Sequence, residues 1–239
     1  MAVRNLVISI YTIIATVLSF TSAQAPTGTS LIDVSTNMTF STWSIPGSNS
    51  IGPLTFGLAL HTTALETDAS EFIGYLQCAA AKGWCGISLG GSMTDSLLLV
   101  AYADPSKKEK DVQISPRYTT KYSLPQPYEG NATVNTIRSE VTDAGFTTIF
   151  HCQDCLHWAQ GESKGGAKTS SGTMDLAYAI SPETPTNAAC AHEAVFAQHK
   201  AQGTWVAFVD SNATSTEYEG WAKLRKGGGA GAGDCSVKA

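Results

Sequence analysis

No stretch of this 239-residue chain is long and apolar enough for a membrane-spanning helix, which needs about 20 such residues; the apolar run Leu6–Phe20 has 15. Basic residues are outnumbered, 15 Lys and Arg against 20 Asp and Glu, so the formal charge of −5 gives no electrostatic footprint for nucleic acid. No Gly-x-Gly-x-x-Gly follows a strand, which argues against a Rossmann-type dinucleotide site. No pair stands out among the 20 acids for glycoside hydrolysis. Helical periodicity between strands is nearly absent, and no internal repeat is visible. Methionine is scarce, with four in the chain, as is histidine, with five.

What is present first gives an address. The run Leu6–Phe20 follows a single early cation, Arg4, and precedes Thr21-Ser22-Ala23, small residues of the kind found at a cleavage site. Residues 1–23 read as a secretory signal peptide, leaving a soluble extracellular protein; its loss removes Arg4 and no acid, taking the charge from −5 to −6. Asn-x-Thr sequons at Asn37, Asn131 and Asn212 suit a secreted glycoprotein. All six cysteines follow the signal, and an oxidising compartment favours their pairing. Spacing suggests Cys78 with Cys85, Cys152 with Cys155, and Cys190 with Cys235, out of the 15 connectivities that six cysteines allow.

Strand patterns dominate the remainder. Leu54, Phe56, Leu58 and Leu60 alternate with small or polar residues, the period-two signature of a strand. Further strands are expected at 37–44, 71–77, 84–89, 96–102, 112–117, 133–140, 146–151, 173–180 and 204–209. A turn-rich lead precedes them, and an irregular proline-broken loop carries Tyr118, Tyr122 and Tyr128. Gly161–Gly172 reads as a flexible loop. One helix is expected, from Ser215 to Lys226, with Thr214 and Glu217 as a capping box and Tyr218, Trp221 and Leu224 on one face. The chain is therefore predicted to be all-β, a two-sheet antiparallel β-sandwich with one short C-terminal helix. Its domain, residues 24–226, is followed by a Gly-rich tail, 227–239, tethered through Cys235.

Two motifs carry possible chemistry. His151-Cys152-Gln153-Asp154-Cys155-Leu156-His157 lacks the histidine directly after the second cysteine that covalent haem attachment requires. A structural disulfide is its default reading, with a zinc site or a redox pair as alternatives. The second motif is the corner Gly90-Gly91-Ser92-Met93 between two apolar runs, which presents a thioether from a strand-anchored position. His199 lies in a turn leading into the last apolar strand. Met174 sits in an alternating strand as core filler, and Met38 lies inside a sequon. Taken alone, each is more often ordinary, Met93 as packing and His199 as a surface polar residue.

These residues also carry a resemblance. Trp84-Cys85-Gly86-Ile87 through Met93-Thr94-Asp95-Ser96-Leu97-Leu98, Tyr122-Ser123-Leu124-Pro125, Phe150-His151-Cys152-Gln153-Asp154-Cys155-Leu156-His157-Trp158, and Gln198-His199 before Gly203-Thr204-Trp205 resemble the haem b cytochrome domain of fungal cellobiose dehydrogenase. The order and spacing agree from about Pro26 to Lys226. The resemblance implies an immunoglobulin-like, DOMON-type iron reductase sandwich around non-covalent haem b. Met93 and His199 would be the sixth and fifth iron ligands, and Tyr122 would lie near the haem propionates. A further acceptor would be needed to fix the His199 ring through its other nitrogen. Unlike cellobiose dehydrogenase, the sequence carries no flavin-binding dehydrogenase domain after Cys235, leaving a free-standing cytochrome or a fragment of a longer product. The Cys78/Cys85 pair is another departure.

The function so implied is one-electron transfer by a secreted, monomeric carrier rather than stand-alone catalysis. The donor would be a flavin dehydrogenase or small reductant, and the acceptor a copper polysaccharide mono-oxygenase or ferric iron. The rival reading is a secreted carbohydrate-binding sandwich without haem, with Trp43, Trp84, Trp158, Trp205 and Trp221 as its stacking rings.

Overall fold

The computed structural model describes residues 28–47, 51–104 and 111–224. The expected signal peptide, the Gly-rich tail and Cys235 lie outside the described residues. In chain order the strands are β1 (Thr29–Asp33), β2 (Met38–Ile45), β3 (Leu54–His61), β4 (Phe72–Cys78), β5 (Trp84–Ser88), β6 (Leu98–Asp104), β7 (Asp111–Tyr118), β8 (Gln126–Pro127), β9 (Thr133–Val141) and β10 (Phe146–Gln153). There follow β11 (Ala159–Gln160), β12 (Ser163–Lys164), β13 (Thr173–Ser181), β14 (Ala201–Phe208), β15 (Thr214–Ser215) and the single-turn helix α1 (Tyr218–Trp221). One sheet runs β1-β2-β3-β4-β10-β9, the other β14-β13-β5-β6-β7-β8. Every pairing is antiparallel except that of β15, which joins β3 in parallel. The protein is the expected all-β two-sheet sandwich.

Alternation explains the main core. Leu54, Phe56, Leu58 and Leu60 of β3 meet Cys85 and Ile87 of β5 and Leu99 and Ala101 of β6 between the sheets, all almost wholly buried. The intervening residues of the central strands are covered as well. On the first sheet Ala59, Ile73, Tyr75 and Ile149 lie under Tyr218 and Trp221 of α1. On the second, Trp84, Val100 and Tyr102 lie under Ala188, Ala194 and Phe196 from the segment between β13 and β14. That second covering explains why β5 and β6 read as unbroken apolar runs: both faces are shielded from water.

Several expectations need correction. The turn-rich lead contains β1, an edge strand pairing Thr29–Asp33 with β2. Tyr118 ends β7 rather than lying in a loop, and Pro116 is tolerated there because β7's outer neighbour, β8, is only two residues long. The 161–172 loop contains part of a small hairpin, β11 with β12. The helix shrinks to one turn among the described residues, because Thr214 and Ser215 are drawn into the parallel strand β15. The capping box does not form: the Thr214 hydroxyl donates to the Ser211 carbonyl at 3.0 Å. Glu217 is itself helical and makes no side-chain cap. Leu224, expected beside Tyr218, is exposed.

Two disulfides lie within the described residues. Cys78–Cys85 joins β4 of one sheet to β5 of the other, and Cys152–Cys155 closes the end of β10. Cys190 is also disulfide-bonded, to a residue outside the described set.

Candidate functional site: a flat cleft on the second sheet

The floor of the site follows from small side chains in register. Ala177 and Ala179 of β13, Ser88 and Gly86 of β5, and Leu98 and Val100 of β6 lie side by side on the sheet face away from the main core. All six line a cavity of about 950 Å³. A Cβ built on Gly86 would meet no protein atom closer than 3.5 Å, so the glycine is not there to relieve a clash. The lining is more apolar than polar in character and includes Trp84 and Phe196, in edge-to-face contact at 5.7 Å. A shallow shelf of this kind suits a flat apolar ligand.

Met93 enters from the corner between β5 and β6. Gly91 adopts a left-handed φ of 72° and packs against Asp175, where a Cβ would come within 2.9 Å of the Asp175 Cβ. The Ser88 hydroxyl donates to the Ser92 carbonyl at 2.5 Å and accepts from the Gly90 N–H at 3.4 Å, bracing the loop that carries Met93. Farther round, the Trp158 indole N–H donates to the Asp95 carbonyl at 3.3 Å, and the Asp95 N–H to the Thr119 carbonyl at 2.8 Å. The corner is thus tied to its own strand and to two neighbouring segments.

His199 stands between the covering segment and β14, half-buried, with the next residue's N–H donating to the Ile180 carbonyl at 2.9 Å. Met93 and His199, 106 positions apart by their numbers, line the same cavity. Tyr122 lines it as well, 85% exposed, with Leu124 beside it 44% exposed. The acceptor expected to orient the His199 ring is not found: no described residue hydrogen-bonds that imidazole.

One lining residue carried no sequence signal. Arg117 of β7 is 4% exposed and stacks on Phe196 with 5.0 Å from its guanidinium carbon to the ring centre. Its Nε donates to the Ser115 hydroxyl at 2.7 Å. Its Nη2 donates to the carbonyls of Ala191, His192 and Ala194 at 2.8, 3.1 and 2.7 Å. Burial lowers its pKa from the ordinary value. In sequence Arg117 is merely one cation in a strand, and nothing local reveals that its side of the sheet is covered.

The other candidate motif resolves differently. With both sulfurs in the Cys152–Cys155 disulfide, no thiolate is left there for zinc, and both residues are fully buried. His157 is exposed. His151 is buried, its Nε2 3.3 Å from a Glu71 carboxylate oxygen but out of line for a hydrogen bond. No three His, Cys, Asp or Glu side chains converge as a metal site among the described residues. The stacking platform fails too: Trp43, Trp84 and Trp158 are buried and Trp205 and Trp221 half-buried, so none offers an open face to sugar.

Comparison with known proteins agrees with this geometry. A sequence profile of the cytochrome domain of cellobiose dehydrogenase matches residues 31–220. The solved cytochrome domain of Myriococcum thermophilum cellobiose dehydrogenase superimposes with a TM-score of 0.78 at 40% identity, over 83% of this chain and 96% of that one. The cytochrome b domain of pyranose dehydrogenase from Coprinopsis cinerea gives a TM-score of 0.63 at 25% identity, over 82% and 94%. The pyrroloquinoline quinone-dependent pyranose dehydrogenase of Coprinopsis cinerea is 33% identical over 155 residues, which are 62% of this chain but 19% of that protein. The chain therefore spans about a fifth of that curated relative's length.

Proposed function

We infer, from the premise that the chain belongs to the cytochrome-domain family of cellobiose dehydrogenase, that it binds one non-covalent haem b in the cleft and carries single electrons. The observation that carries this reading is the convergence of Met93 and His199 on one cavity over a floor of small side chains. Bound haem supplies an iron centre that exchanges one electron. The residues present fit such a group: a soft thioether and an imidazole on one cavity, and an apolar shelf with no side chain on Gly86.

Each residue has a defined part. The Met93 sulfur would hold the iron, favouring the reduced metal and raising the reduction potential relative to two imidazoles. The His199 imidazole would supply the second protein ligand. With both donors committed, the group would supply electron transfer rather than a substrate-binding position. The shelf of Ala177, Ala179, Gly86 and Val100 excludes water from the flat faces, while exposed Tyr122 and Leu124 mark the edge through which electrons pass.

The donor is a flavin dehydrogenase or a small reductant, and the acceptor a copper polysaccharide mono-oxygenase or ferric iron. The protein is secreted, a reading supported by the leader Leu6–Phe20, the two described disulfides and the exposed sequon asparagines Asn37, Asn131 and Asn212. Among the described residues no helix is long and apolar enough to cross a membrane.

The test is an absorbance spectrum of protein expressed with adequate haem, oxidised and then reduced. A sharp Soret band and resolved α and β bands on reduction are expected, altered in Met93→Ala and His199→Ala. A folded but colourless protein refutes the reading.

A further inference from the structure

The charge of the cleft is unlike that of the chain. The protein is acidic overall, with a formal charge of −5, yet no carboxylate of the described residues lines the cavity. Among the described lining residues Arg117 is the one permanently charged group. Its side chain is 96% withdrawn from solvent, judged from the 4% that stays exposed. A guanidinium has five N–H donors in a planar fork. Here Nε and Nη2 are spent on the Ser115 hydroxyl and three backbone carbonyls, all neutral acceptors. No described residue accepts from Nη1, and no described carboxylate lies within ion-pair distance of the fork. A buried cation with neutral partners and unspent donors calls for an anion to offset its desolvation.

Arg117 also bears on the covering segment. By gripping the carbonyls of Ala191, His192 and Ala194 it fixes the lid whose continuation, through Phe196, carries His199. The cation is therefore held rigidly at the cavity wall, with Nη1 left in a pre-organised position for an anionic acceptor.

We propose that Arg117 is the anion subsite of the cleft, pairing through Nη1 with a carboxylate on the bound group; on the haem reading, which this rests on, that carboxylate is a propionate. Tyr122, at the exposed edge, is then not the sole polar contact of the acidic side chains. Arg117 thus sets both affinity and the orientation of the macrocycle in an otherwise apolar slot.

The experiment compares iron protoporphyrin IX with its dimethyl ester, titrated into apoprotein and followed by the Soret band. Wild type is expected to bind the free acid at least about tenfold more tightly than the ester, the scale of a charge-assisted hydrogen bond. In Arg117→Gln the two affinities should fall within about twofold of each other, while Arg117→Lys keeps part of the preference because it keeps the charge. Wild type indifferent to esterification, or Arg117→Gln with its preference intact, overturns the proposal. Binding of neither porphyrin by folded wild type overturns the haem reading itself, and the subsite with it. If Arg117→Gln does not fold, the holoprotein crystal structure decides. A propionate oxygen within roughly 4 Å of the guanidinium supports the pairing, and none within that distance refutes it.

Discussion

Gly86→Val separates the fold from the ligand. Gly86 lies in mid-strand, opposite Val100 on one side and Ala179 on the other. A Cβ there finds Trp84 Cζ3 at 3.5 Å, Val100 Cγ2 at 3.7 Å and the Ala179 carbonyl oxygen at 3.8 Å, all ordinary contacts. The backbone is outside the left-handed region, so a β-branched residue adopts it without strain. Glycine in a strand interior costs about 0.5–1 kcal/mol in chain entropy, so valine should leave apoprotein stability unchanged or raise it by up to about 1 kcal/mol. The two γ-methyls, however, project into the shelf. Carbon atoms settle about 3.5–4 Å apart, so a flat ligand must lift by roughly the thickness of a methyl group or leave. Overpacking a well-fitted contact costs about 1–3 kcal/mol, equivalent to a loss of about 5- to 150-fold in haem affinity. Urea unfolding of the apoprotein and Soret titration with haem read the two effects separately. Unchanged haem affinity, or an apoprotein destabilised by more than about 1 kcal/mol, would show that Gly86 does not floor the ligand site.

Three other perturbations address the supports of the site. Ser88→Ala removes the hydroxyl that braces the Met93 corner, a loss of about 1 kcal/mol; carbon monoxide binding to the reduced holoprotein should rise as Met93 releases more readily, and unchanged binding contradicts the bracing role. Replacing Cys78 and Cys85 together by Ala opens a disulfide of sequence separation 7, worth about 2.5 kcal/mol by loop-closure entropy; a denaturation midpoint within error of wild type would mean that the inter-sheet link adds nothing. Burial, with Glu71 beside it, pushes the Tyr218 phenol far above the ordinary tyrosine value of 10.0. The folded state thus favours the neutral phenol: its contribution is complete below pH 10 and drains away as the unfolded chain ionises above it. Tyr218→Phe should flatten the alkaline fall in stability by up to about 1.4 kcal/mol per pH unit, and an unaltered slope excludes this phenol as its source.

Much of the sandwich is legible because burial imposes period two on strands such as β3, where Leu54, Phe56, Leu58 and Leu60 all face one core. The Met93 corner is legible because paired glycines next to apolar runs mark a tight, close-packed turn. The cleft is not legible by such means. Periodicity reports that Trp84, Val100 and Tyr102 avoid water, but not that a separate segment containing Ala188, Ala194 and Phe196 covers them. That segment is rich in Pro, Thr and Ala and reads as loop. Arg117 is illegible in the sequence for the same reason: its role depends on three carbonyls about 75 residues downstream. The C-terminal helix is shorter than its sequence suggests because Thr214 and Glu217 satisfy a local capping pattern, while the strand pairing of Thr214 and Ser215 with Leu60 and His61 is non-local. Pairing Met93 with His199 needed the family resemblance, since nothing between them in the chain links a corner to a turn.

Iron K-edge X-ray absorption of the holoprotein bears most directly on the grip of one iron by Met93 and His199. One sulfur is expected in the first coordination shell of wild type, lost in Met93→Ala, with one imidazole nitrogen lost in His199→Ala. A sulfur shell that survives in Met93→Ala, or a wild-type shell built of nitrogen alone, contradicts that ligation.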